Sequence, residues 1–165
     1  KNSDSDQAPS VQKVPQEQIQ PLRIAKPLTL SYHSHWFLLG GLRIAHRVLD
    51  TKTEVNGLIG TSVITGCGVQ APECQQGWAT NIGIRRYLTN SAFTLYAGAN
   101  LHWLFEGIRW VDGSAVLVDV SLGLNHQTSG RFNWGLGYSI FASYGVETNQ
   151  FGYQGWFLTE LGYSF

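Results

Sequence analysis

No stretch of this 165-residue chain is long and apolar enough to be a membrane helix. Charge is also scarce, since only 13% of residues are Asp, Glu, Lys or Arg, and the eleven cations and eleven anions cancel. No cluster of Lys and Arg is interleaved with aromatics, so the electrostatic footprint of a nucleic-acid binder is missing and nucleic acid is not an expected partner. Cysteine is limited to Cys67 and Cys74, separated by a short segment containing Gly68, Pro72 and Glu73. Without a His or Asp beside them to complete a metal site, a disulfide is the expected state of an exported pair, and no metal or other cofactor is expected. The polar start, KNSDSDQAPSVQKVPQEQIQ, lacks the apolar core of a signal peptide, so the chain reads as a mature form whose export signal has been removed.

What the chain does have is a two-residue beat. Phe93, Leu95, Ala97, Ala99, Leu101, Trp103 and Phe105 alternate with Thr94, Tyr96, Gly98, Asn100 and His102. Val116, Val118, Val120, Leu122 and Leu124 alternate with Asp119, Ser121, Gly123 and Asn125, and the end of the chain repeats the pattern through Phe151, Tyr153, Phe157, Leu161, Tyr163 and Phe165. Side chains of a β-strand point alternately to opposite faces, so each segment carries one apolar and one mixed face. A series of such segments, each about as long as a tilted bilayer crossing, predicts lipid on the apolar side.

The ending Leu161-Gly162-Tyr163-Ser164-Phe165 resembles the carboxy-terminal assembly signal of bacterial outer-membrane β-barrels, in which a terminal aromatic and a hydrophobic residue two places earlier are read by the insertion machinery. That resemblance implies a transmembrane barrel in the outer membrane, with outer-membrane lipid and the insertion machinery as partners and Leu161, Tyr163 and Phe165 as the signal, and the count of alternating segments makes it an all-β, eight-stranded, antiparallel up-and-down barrel.

Strands are predicted near 22–32, 36–48, 54–66, 77–88, 92–105, 114–126, 131–145 and 150–165, with short polar turns such as Asp50-Thr51-Lys52-Thr53 and Thr89-Asn90-Ser91 between them. The first strand is the weakest of the eight, because Pro27 supplies no ladder donor and Lys26 falls on the lipid-facing parity. Residues 1–21 hold three of the five prolines and many Gln, Ser and Asp, and read as a flexible periplasmic tail ahead of a barrel over 22–165. Within that tail, residues 1–20 could engage a periplasmic or envelope protein. Counting back from the carboxyl end places the turns after 48, 88 and 126 in the periplasm. The connections at His33–His35, Cys67–Cys74, Glu106–Gly113 and Val146–Asn149 then face outward from the cell.

Eight strands enclose a lumen that side chains nearly fill, so an open channel is not expected and a narrow pore is the weakest reading. On the inward parity, Arg43, Arg85, Asn100, Asp119 and Glu160 fall near mid-strand, where two arginines and two carboxylates are expected to neutralise one another. Phe37, Leu39, Ile64, Leu104, Leu117, Phe141, Trp156 and Leu158 fall inward in the outer halves of their strands. They read either as a packed plug or as an acyl-chain pocket. The second resembles the lipid A palmitoyltransferase, an eight-stranded barrel enzyme that holds an acyl chain in its outer half. Catalysis there needs a base or nucleophile at the rim, and His33, Ser34, His35, Asp112 and Ser114 are the residues placed to supply one. No motif of that enzyme lines up around them, and His126, Thr128 and Ser129 do not match the His and Ser spacing of the lipid A deacylase. The leading expectation is therefore a barrel without catalysis. Trp36, Trp78, Trp103, Trp110 and Trp134, near strand ends, read as interfacial anchors, and His46 and His102 as solvated or hydrogen-bonded.

Overall fold

In the computed structural model, which describes residues 26–35, 39–48, 52–62, 77–105 and 114–165, eight antiparallel strands close on themselves in sequence order. They are β1 (Leu28–His35), β2 (Leu39–Arg47), β3 (Thr53–Ser62), β4 (Trp78–Tyr87), β5 (Phe93–Phe105), β6 (Ala115–Gln127), β7 (Phe132–Gly145) and β8 (Gln150–Ser164). Closure is made by β1 against β8, with Thr29 opposite Ser164 and His35 opposite Leu158. The seam covers Leu158–Ser164 of β8, and closing the ring there removes the open edge over that half of the strand.

Alternation decides which way each side chain faces, and it gives this barrel an inverted polarity. Leu30, Ile44, Val55, Ile82, Val120, Leu122 and Ile140 are exposed on the outer wall, while Arg43, Glu54, Arg85, His102, Asp119 and Glu160 are buried inside. Ile82, in the middle of β4, is 60% exposed, whereas Asp119, in the middle of β6, is fully buried. A bilayer is the solvent that makes such an arrangement favourable, since hydrocarbon accepts the outer side chains while the ladder pairs the backbone groups of neighbouring strands. No helix among the described residues is long and apolar enough to cross a membrane.

The two ends differ. At one, β2–β3, β4–β5 and β6–β7 are joined by short turns, closed by Val48 N donating to Thr53 O (3.0 Å), Leu88 N to Leu95 O (2.9 Å) and Thr128 N to Phe132 O (2.8 Å). Phe165 lies at this same end, its N–H donating to Leu28 O at 2.8 Å. The opposite end carries the connections 36–38, 63–77, 106–114 and 146–149. Trp78 and Trp103 have the outward parity near that end and Trp134 near the turn end.

The first strand departs from expectation. It runs over Leu28–His35 rather than 22–32, starting after Pro27, whose carbonyl accepts from Arg47 N at 2.8 Å. Proline has no N–H to give the ladder, so pairing starts at the next residue. His33, Ser34 and His35 consequently belong to a strand and not to an outer loop.

Candidate functional site

The parity of β2, β3, β4 and β8 sends Arg43, Glu54, Arg85 and Glu160 into the same layer of the lumen. Glu160 is its hub: Arg43 Nη1 donates to Oε1 (3.1 Å), Arg85 Nη1 to Oε2 (2.9 Å) and Ser31 Oγ to Oε1 (3.0 Å). The second carboxylate is Glu54, which accepts from Arg43 Nη2 and, at 3.0 Å, from Tyr87 OH. Arg85 stands 4.0 Å from Glu54 and lies over the Tyr96 ring, 4.1 Å from its centroid. Two guanidiniums and two carboxylates thus balance in charge, each with hydrogen bonds to neighbours, which is what makes buried ions tolerable.

Asp119 does not join this layer, contrary to the sequence expectation that it would offset an arginine. It accepts from Asn100 Nδ2 at 3.0 and 3.2 Å and pairs with His102 Nε2. Asn81 Nδ2 meets His102 Nδ1 at 3.3 Å. The imidazole thus bridges the Asn81 amide and the Asp119 carboxylate through its two ring nitrogens. His102 is therefore hydrogen-bonded, one of the two states expected of it, whereas His46 faces outward.

Between the two carboxylate centres lie His33 and His35, which sequence reasoning placed in a loop. His33 Nδ1 is 3.5 Å from Glu160 Oε2, and His35 Nε2 is 3.9 Å from Asp119 Oδ2. The His35 ring packs edge-on against His33 (4.8 Å between centroids), His102 (5.7 Å) and Phe141 (4.8 Å). No group of three or more metal-ligating side chains in coordinating geometry occurs among the described residues.

Toward the longer connections, Leu39, Ala79, Leu104, Ala115, Leu117 and Phe141 form one apolar cluster, with Trp156 packed against it. Leu158 is not part of it and packs instead with Tyr87 and Tyr96. Phe37 and Ile64 lie outside the described residues, as do Cys67, Cys74, Trp36, Trp110 and Asp112. Toward the turns the lumen ends in a cavity of about 10 Å³ among Thr29, Arg47, Glu54, Gln127 and Glu160, room for about one water.

Glycine makes the tight lumen possible at one position above others. Gly123 and Gly137 face each other across β6 and β7, and a Cβ on either would meet the Tyr96 hydroxyl at 2.6 or 2.8 Å. The phenol lies in the slot they leave.

The residues proposed for rim catalysis do not assemble. His33 and His35 are buried in the lumen, Ser34 has the outward parity of β1, and Ser114 donates its backbone N–H to Glu147 Oε2 (3.1 Å). His126 sits on the outer wall between Phe93 and Trp134, at 6.1 and 5.6 Å. Leu161, Tyr163 and Phe165 face outward together, the last two in ring contact at 5.2 Å.

Neither a protein-family model nor a curated sequence matches the chain. Among solved structures it is similar to the N-terminal β-barrel domain of Pseudomonas aeruginosa OprF, with 14% identity, 84% of this chain and 95% of that one covered, and a TM-score of 0.55. Neisserial surface protein A (NspA) aligns at 14% identity over 84% of this chain and 93% of that one, with a TM-score of 0.48. At such identity the likeness to the OprF domain is one of fold: a closed eight-stranded barrel.

Proposed function

We propose that the chain is an integral outer-membrane barrel, closed to ions and without catalysis, that serves as a structural or accessory component of the envelope. The turns and residues 1–21 face the periplasm and the longer connections face outward. One observation carries this reading: the outer wall is apolar while the described lumen holds packed side chains in succession, first the Arg43–Glu160–Arg85–Glu54 layer, then Asp119 with His102, then the Leu39–Leu117–Phe141 plug. Such packing opposes a wet path, and among the described residues no nucleophile stands beside a base with access to substrate.

An acyl-chain enzyme would need space where Leu104, Leu117 and Phe141 are in contact, and the packing there favours a plug. The test is purification from membranes followed by reconstitution. Extraction only with detergent, slower gel migration after heating, silence in planar bilayers and unchanged lipid A acylation in cells carrying the protein are the expected results. Stepwise ionic conductance, or a new acylation pattern, overturns the proposal.

A further inference from the structure

The outer wall is not uniform. Near the turn end a groove of about 430 Å³ opens between β4, β5 and β6, within the range of roughly 300–1,000 Å³ typical of small-molecule sites. Its floor is Ala97, placed between Arg86 on β4 and Leu122 on β6 by the strand register. A methyl group among long neighbours leaves a depression, walled by Leu88, Leu95 and Leu122. Lys52 and Arg86 stand at its mouth.

Both cations are held in place without being neutralised by a described residue. Lys52 Nζ donates to Leu88 O at 2.8 Å and Arg86 Nη1 to Thr53 Oγ1 at 3.3 Å. No carboxylate among the described residues pairs with either. Each retains further N–H donors, since an ammonium has three and a guanidinium five. Arg86 moreover has the outward parity of β4, the same as Ile82 and Ile84. A guanidinium on that face is tolerable close to the headgroup level, where an anion can meet it.

We propose that this groove binds one glycerophospholipid of the leaflet that meets the turns, its phosphate diester on Lys52 and Arg86 and one acyl chain over Ala97 between Leu88, Leu95 and Leu122. The assignment rests on the membrane reading above and deepens it. Charge complementarity selects the occupant, because the pair of cations matches a phosphate while the rest of the groove is apolar. A second copy of the chain would instead bring the same two cations with it.

The full chain, purified in detergent, is titrated with phosphatidylglycerol and examined by intact-mass spectrometry. One retained lipid per barrel is expected. Losing both cations in a Lys52→Gln/Arg86→Gln variant weakens retention about thirty-fold, at roughly fivefold per cation near a charged lipid surface. Ala97→Phe, which keeps both charges and fills the groove, loses the lipid as well. Equal retention by wild type and the double glutamine variant, retention by Ala97→Phe, or a lipid-free dimer each overturns the site. A wild-type chain that stays soluble without detergent overturns the membrane reading itself, before any lipid is added.

Discussion

Replacing Glu160 by Gln tests whether the lumen is dry and self-sealed. The carboxylate holds Arg43 and Arg85 at 3.1 and 2.9 Å and accepts from Ser31 at 3.0 Å. The amide keeps the shape but offers one acceptor oxygen, and its NH2 group confronts a guanidinium, donor against donor. Arg85 is then left with Glu54 alone, at 4.0 Å, and the layer holds two cations against one anion. Breaking a buried ion pair from one side costs about 3–5 kcal/mol, whereas the same change in a water-filled channel costs about 0–1 kcal/mol, as for a surface pair. Urea unfolding in lipid vesicles, followed by tryptophan fluorescence and by heat-modifiable gel mobility, reads the difference. The double variant Arg85→Met/Glu160→Gln restores one cation to one anion. It is expected to recover part of the loss, with a coupling of at least about 1 kcal/mol, and supplies a readout if the single variant fails to fold. A loss below about 1 kcal/mol for Glu160→Gln, or strictly additive single and double variants, refutes the sealed lumen.

Ile82→Arg separates lipid from water at the outer wall: at a position already 60% exposed the change is worth within about 0.5 kcal/mol in water, but costs about 2–4 kcal/mol at the middle of a bilayer, and vesicle unfolding distinguishes the two. Gly137→Ala puts a methyl group 2.6 Å from Leu122 O and 2.8 Å from the Tyr96 hydroxyl, so a loss of about 1–3 kcal/mol is expected in the same assay, with Gly130→Ala, whose added carbon meets only Thr128 at 3.7 Å, as the neutral control.

Much of this barrel is written in parity. The two-residue beat assigns Arg43, Arg85, Asn100, Asp119 and Glu160 to the interior, and all five point there. It also carried the answer for β1, since Leu28, Leu30 and Tyr32 on the outer face require His33 and His35 on the inner one. Polar residues at a strand end resemble turn chemistry, which hides this pair, because in an inverted barrel the polar residue is the buried one. Glu54 was missed for the same reason. As the second residue of β3 it sits beside a polar turn, yet its parity sends it beneath Arg43.

Partner choice inside the lumen follows a different rule from facing. Asn100 and Asp119 are register neighbours on a hairpin, so their hydrogen bond is a local consequence of strand pairing. Glu54 and Arg85 are register neighbours too, but Arg85 lies closer to Glu160 across the lumen, at 2.9 Å, than to Glu54, at 4.0 Å. Closure makes that possible: β8 docks on β1, and the stagger of the ring lifts Glu160 to the height of Arg43 and Arg85. These contacts tie β8 to β2, one strand removed in the ring, and to β4 on the opposite wall, so losing the Arg85–Glu160 pair loosens opposite walls together. A lumen braced in this way commits its charged groups to one another, whereas on the outer wall the Lys52–Arg86 groove keeps N–H donors free for the lipid proposed there.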